Sequence, residues 1–173
     1  VNNNSDNLFK IRDSKIIEGS SHILDLSKIT LAGKHNLSNF LAASTAAKIL
    51  NISNRQISET ISNFSGIEHR LEKVVINKGV TYYNDSKATN IESVIAAIKS
   101  FSNSVILILG GKDKESNFVE LIPFIKHNVK KIISYGQASK KIAIALRDAV
   151  ELDQVSSLRD AVEACQKSAV PGD

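Results

Sequence analysis

From residue 74 onward the sequence exchanges strand-like and helix-like patterns in regular turn, and few architectures accept that order. Val74-Val75-Ile76, the turn Asn77-Lys78-Gly79 and the run Val80 to Asn84 read as a hairpin. Ile91, Val94, Ile95, Ile98 and Phe101 recur at helical spacing. Val105-Ile106-Leu107-Ile108-Leu109 is an unbroken apolar run closed by Gly110-Gly111, the pattern of a strand buried on both faces. A helix through Phe118, Leu121, Ile122, Ile125 and Val129 follows, then a strand over Lys131 to Tyr135 and a helix from Ala138 to Val150. A short strand near Gln154-Val155 and a helix over Leu158 to Ala169 complete the series. Strands joined by helices of this length imply right-handed crossovers and an α/β fold, a mostly parallel, doubly wound sheet with helices on both faces. In such sheets ligands gather at the carboxyl ends of strands, which directs attention to the segments after Tyr83, Leu109 and Tyr135.

The earlier part of the chain is organised differently. Ile16-Ile17 and Ile23-Leu24, set among Ser, Asn and Gly, read as short strands and turns. Leu37, Phe40, Leu41, Ala43, Ala47 and Leu50 mark a helix face with Asn36 as its N-cap, and a second helix covers Ser53 to Phe64 with Ile57 and Ile61 inward. The polar, aperiodic stretch Ser65-Gly66-Ile67-Glu68-His69-Arg70 is the expected boundary, dividing residues 1–64 from 65–173. The Asn-rich start and the closing Pro171-Gly172-Asp173 lead us to expect a fragment of a longer protein.

Composition narrows the function classes. The 22 Lys+Arg against 18 Asp+Glu give a net charge of +4, spread along the chain as in Lys130-Lys131 and Lys140-Lys141. With no basic stripe interleaved with aromatics, an anionic small substrate is expected rather than nucleic acid. No apolar run nears the roughly 18–20 residues of a membrane span, so no membrane partner is expected. The single cysteine, Cys165, excludes an internal disulfide or a multi-cysteine zinc site. A cytoplasmic setting fits that cysteine and the lack of a leader pattern.

Three segments carry possible chemistry. In Asn84-Asp85-Ser86-Lys87-Ala88-Thr89-Asn90, Thr89 with Glu92 reads as a capping box, which leaves Asp85 and Lys87 without a structural duty. A carboxylate at a strand end can accept ribose hydroxyls, and an ammonium near a helix N-terminus can hold phosphate. Gly110-Gly111-Lys112-Asp113-Lys114 reads equally as an ordinary turn or as a backbone that approaches a ligand; it is not a dinucleotide fingerprint. Asn36 and Asn39 are three apart, so both amides share one face of a first helical turn; they suit a purine edge, or else one caps and the other is merely exposed. Arg70, beside His69, is either a surface residue or a guanidinium that bridges phosphates. No His has metal-site spacing, and no metal ligands are assigned in this chain.

Together these segments resemble the Mur ligase family of ATP-dependent amide-bond-forming enzymes. The likeness rests on Leu31-Ala32-Gly33-Lys34-His35-Asn36-Leu37-Ser38-Asn39, on His69-Arg70-Leu71-Glu72, on Asn84 to Asn90, on Ile108 to Lys114 and on Pro171-Gly172-Asp173. It covers about residues 30 to 173, and the Asp-Ser-Lys-Ala-Thr-Asn segment is most like the members that add D-glutamate to UDP-MurNAc-L-alanine. The resemblance implies that residues 1–64 are the tail of an α/β ATPase domain and 65–173 most of a C-terminal Rossmann-like domain. It implies ATP and Mg2+ as cofactors, small-molecule substrates and a monomer. It further implies that Asn36 and Asn39 contact adenine, Asp85 the ribose, and Lys87 the phosphates. Arg70 with His69 would clamp the nucleotide, and Thr89 and Lys114 would contact D-glutamate. The family's phosphate loop, its magnesium ligands and its Ser-Pro-Ala-x-Ala-Ser-Phe segment do not occur in these residues, so the chain by itself is expected to be inactive. The rival expectations are another amide ligase, such as a folylpolyglutamate synthase relative, or a non-catalytic nucleotide-binding module.

Overall fold

The computed structural model describes residues 8–29, 31, 34–112 and 115–173. The chain forms two compact units, one ending at Gly66 and the other running from Ile67 to Asp173.

In the first unit, β1 (Phe9–Arg12), β2 (Lys15–Glu18) and β3 (Ser21–Asp25) form an antiparallel meander. Asp13 and Ser14 both take positive φ, +49° and +59°, which matches the twist of a two-residue hairpin turn. Two helices follow, α1 (Lys34–Ile49) and α2 (Asn54–Asn63). The core joins Phe9, Ile16, Ile23 and Leu24 from the strands to Phe40, Ile57 and Ile61 from the helices. Ser53 caps α2 and shares a reciprocal capping box with Gln56. Lys48, Asn54 and Glu18 are tied together: Lys48 donates to Asn54 Oδ1 at 2.8 Å and Asn54 donates to Glu18 at 2.7 Å. The Asn54 hydrogen bond and the nearby Lys48 hold the Glu18 carboxyl below its ordinary range. Asn36 is not the N-cap expected of it; α1 begins at Lys34, so Asn36 lies inside the first turn. Lys34-His35 carry no apolar signal, and the helical period becomes visible only at Leu37.

In the second unit, β4 (Glu72–Asn77) and β5 (Val80–Asn84) form an antiparallel hairpin. Its two-residue turn, Lys78-Gly79, has φ of +50° and +79°. A second sheet holds β6 (Val105–Gly110), β7 (Val129–Tyr135) and β8 (Glu151–Gln154), all parallel, in the order β6-β7-β8. The connecting helices are α3 (Ile91–Lys99), α4 (Ile122–Asn128), α5 (Ser139–Leu146) and α6 (Leu158–Ser168). β7 is central, and its alternation serves two layers. Ile132 joins the cluster built by α3, α4 and α5, whereas Ile133 packs against Ala161 and Cys165 of α6. The fully buried face of each layer is what fixes helices on both sides of the sheet.

Some details depart from the sequence expectations. β6 is half-buried rather than buried on both faces, because it lies at the end of the three-strand order and β7 takes the centre. Val129 opens β7 instead of closing the preceding helix, and α5 stops at Leu146 rather than Val150. Burial raises the Cys165 thiol to about 11, so it is an inert core group. Among the described residues, no helix is long and apolar enough to cross a membrane.

Candidate functional site

The site is built where the hairpin opens. The β4–β5 register sets Glu72 opposite Asn84, which brings the turn before β4 beside the loop after β5. That turn holds two non-glycine residues in left-handed backbone, His69 at φ +65° and Leu71 at φ +44°. Such geometry costs on the order of 1 kcal/mol per residue, so something must hold it. Glu72 Oε2 accepts the His69 N–H at 2.8 Å, and Asp85 Oδ1 accepts the Leu71 N–H at 3.0 Å. The Lys87 N–H donates to the His69 carbonyl at 3.0 Å. Asn84 Nδ2 meets His69 Nδ1 at 2.8 Å, while Asn84 Oδ1 accepts the Ser86 N–H at 3.1 Å. The two segments are therefore stitched into one structure, and His69, Arg70, Asp85 and Lys87 are brought together by it.

The charge pattern of this structure is uneven. Arg70 and Lys87 are exposed and make no ion pair among the described residues. Asp85 is half-buried and spends one carboxylate oxygen on Leu71, so it has the structural duty that the sequence did not reveal.

Helix α3 starts differently from expectation. Its N-cap is Asn90, whose side chain accepts the Ser93 N–H at 2.8 Å, not Thr89. Thr89 is thereby released from capping and stays exposed, as does Lys87, with Ala88 between them packed on the core. Glu92 sits in the first turn, where a negative charge suits the helix dipole.

The glycine pair after β6 is explained in part by packing. A Cβ on Gly110 would lie 2.2 Å from the Tyr135 carbonyl oxygen, so only glycine lets β6 and β7 end side by side. Gly111 continues the seam: its N–H donates to Tyr135 O, and its carbonyl accepts from Ala138, both at 3.2 Å. Gly111 has φ +101° and open space where a Cβ would point, so its requirement is conformational. Lys114 lies outside the described residues.

Asn36 and Asn39 belong to the first unit. Asn39 Nδ2 lies 3.5 Å from Asn36 Oδ1, so the two amides share one face of α1 as their spacing predicted. Asn84 is the participant that sequence reasoning missed; its position before Asp85 was visible, but its partner is fifteen residues away and depends on register. Among the described residues no cluster of three or more His, Cys, Asp or Glu side chains is arranged for a metal ion. A hollow of 340 Å³ lies at the closed end of the hairpin, between Lys78 and Pro171, away from all of these side chains.

The opposite ends of the strands are charged too, but there the charges are matched. Lys131 at the start of β7 reaches Glu151 and Asp153 of β8 at 2.7 Å each. The hydrogen bonds that Lys131 donates to Asp153 and Glu151 raise its ammonium above the ordinary value. Lys130 pairs with Asp173, whose carboxylate also accepts the Val170 N–H.

The second unit is an α/β domain of the doubly wound kind that carries exposed cations and a carboxylate on the loops at one hairpin end. The chain belongs to the Mur ligase family: the family model described as "Mur ligase, glutamate ligase domain" matches residues 69–173. It is 43% identical over 164 residues to "UDP-N-acetylmuramoylalanine--D-glutamate ligase" of Oenococcus oeni, covering 94% of this chain and 37% of that protein. A protein of the same description from Acidobacterium capsulatum is 43% identical over 151 residues, covering 87% of this chain and 33% of its own length. The chain thus spans about a third of the length of the curated relatives it matches. In fold it is similar to a pseudomurein peptide ligase type C from Methanothermus fervidus, with a TM-score of 0.72 at 19% identity, over 94% of this chain and 36% of that one.

Proposed function

We propose that this chain is part of a cytoplasmic ATP-dependent ligase that joins D-glutamate to UDP-N-acetylmuramoyl-L-alanine. Residues 1–64 would be the end of its central ATPase domain and 65–173 most of its C-terminal domain. The observation that carries the reading is the stitched pair of segments, His69–Glu72 with Asn84–Lys87, in a chain 43% identical to a relative of that description.

In the reaction proposed, the γ-phosphoryl group of ATP passes to the substrate carboxylate, giving an acyl phosphate and ADP. The amine of D-glutamate then attacks the acyl carbon, the C–O bond to phosphate breaks, and the amine gives up a proton as the amide forms. The difficulty is anionic charge and competing water, so the protein must neutralise phosphate and orient the amine. We assign Arg70 and Lys87 to the phosphates, with His69 as a neighbouring donor, and Asp85 to the ribose hydroxyls. Asn36 and Asn39 are assigned to the adenine edge, and Thr89 and Lys114 to the D-glutamate carboxylates. The release of Thr89 from capping supports its assignment. The described residues hold no cluster of three or more His, Cys, Asp or Glu side chains placed for a metal ion, and we route no step through Mg2+.

The test is ATP-dependent product formation by the full-length enzyme, assumed monomeric, with a panel of amine acceptors. D-glutamate dependence is expected. Preference for L-glutamate on a folate acceptor, or nucleotide binding without turnover, would replace the reading. Residues 1–173 alone are expected to give no product.

A further inference from the structure

Asn84 has one carboxamide and two partners, and their combination settles the state of a third group. The Ser86 backbone N–H can only donate, and it lies 3.1 Å from Asn84 Oδ1. That contact assigns the amide orientation. The opposite end, 2.8 Å from His69 Nδ1, is then the Nδ2 amino group, which has no acceptor capacity. His69 Nδ1 must accept, so the neutral ring carries its hydrogen on Nε2. Glu72 Oε2 also lies 3.5 Å from Nδ1 and favours the other tautomer, but it is farther away and already accepts the His69 backbone N–H. The charged groups on the two stitched segments are Glu72, Asp85, Arg70 and Lys87; among them only Glu72 lies within ion-pair distance of the imidazole. Nε2 makes no hydrogen bond among the described residues, and the ring is about half exposed, at 52%.

We propose that Asn84 is a positioning residue: one carboxamide holds His69 as an Nε2–H donor and, through Ser86, holds the loop that carries Lys87. A neutral N–H donor and an ammonium are then presented together from one stitched structure, an arrangement suited to a phosphate-type oxyanion. The inference rests on the ligase reading for its substrate, but not for its geometry.

The experiment uses the full-length enzyme labelled with 15N-histidine. In the wild type, the His69 Nδ1 resonance is expected in the unprotonated range and Nε2 in the protonated range. Asn84→Asp keeps an acceptor for Ser86 and replaces the donor facing His69 by an acceptor. The His69 hydrogen is expected to move to Nδ1, and kcat to fall about tenfold or more, the cost usual when the partner orienting a functional histidine is lost. In a His69→Ala background the same change is expected to cost less than about twofold, since the two residues act as one unit. Asn84→Ala, which removes both contacts without adding charge, is run beside it in case the aspartate variant misfolds. Because it also frees Ser86, its loss is expected to shrink but not to vanish in the His69→Ala background. An unaltered 15N pattern with wild-type kcat, or equal losses in both backgrounds, overturns the proposal. The NMR measurement needs no turnover. A wild-type enzyme with the Nε2–H tautomer but no D-glutamate ligation would therefore reject the ligase reading alone.

Discussion

At the amino ends of β7 and β8, Lys131 is held between Glu151 and Asp153, and Lys130 is matched by Asp173. At the open end of the β4–β5 hairpin, Arg70 and Lys87 have no carboxylate in ion-pair reach among the described residues, although Glu72 and Asp85 stand in the same structure. Each of the two carboxylates there accepts a backbone N–H, Glu72 from His69 and Asp85 from Leu71. The difference teaches how to tell a structural cation from one kept for a ligand. A matched lysine has already recovered the cost of its desolvation inside the fold. An unmatched one keeps its full interaction for an incoming anion, and its removal should touch stability little.

The strongest test of that contrast is Lys87→Ala in the full-length enzyme. It should lower kcat by about 10²–10³, equivalent to about 2–4 kcal/mol if Lys87 acts as a transition-state donor. Its melting temperature should stay at the wild-type value. Steady-state kinetics at saturating ATP beside a thermal scan would check both, and unchanged kcat would remove Lys87 from the chemistry.

Lys131→Met should show the reverse. It leaves two facing carboxylates without their cation, at a cost between the ~1 kcal/mol of an exposed pair and the ~3 kcal/mol of a buried one. Activity at permissive temperature should be retained. The sign with pH follows from the raised Lys131 value. Its contribution is complete below the ordinary lysine value and is lost as pH rises through the higher folded one. Chemical denaturation from neutral to strongly alkaline pH should therefore narrow the gap between wild type and Lys131→Met; a gap that widens would contradict the assignment.

The finest division falls between adjacent residues. Asn90→Ala should destabilise by about 0.5–2 kcal/mol through loss of the α3 cap. Thr89→Ala should alter stability by less than about 0.5 kcal/mol, while raising KM for D-glutamate. Denaturation midpoints and D-glutamate saturation curves for the pair separate the two duties, and a destabilised Thr89→Ala would return Thr89 to the cap.

Much of this was readable from local pattern. The alternation after residue 74, the Lys78-Gly79 turn and the inward Ile57 and Ile61 each depend on neighbours a few positions away. What failed depended on choices between equally local signals. Thr89 with Glu92 has the spacing of a capping box, yet Asn90 one residue later is the better acceptor and takes the cap. Val129 fits the helical period after Ile122 and Ile125, but its burial is as well satisfied at the head of a central strand. The edge position of β6 and the Asn84–His69 contact were illegible for another reason: strand order and hairpin register join residues far apart in sequence. The family likeness supplied candidate roles, but not which side chain orients which.

The bare Gly110 has a lasting effect on how this protein can vary. With Tyr135 pressed against it, the two strand tips are welded at a fixed point, and length changes before that point would pry them apart. Gly111 carries no such restraint, since a Cβ built there would meet open space. Variation at the first glycine would therefore break the frame itself, whereas variation at the second would strain only its own backbone.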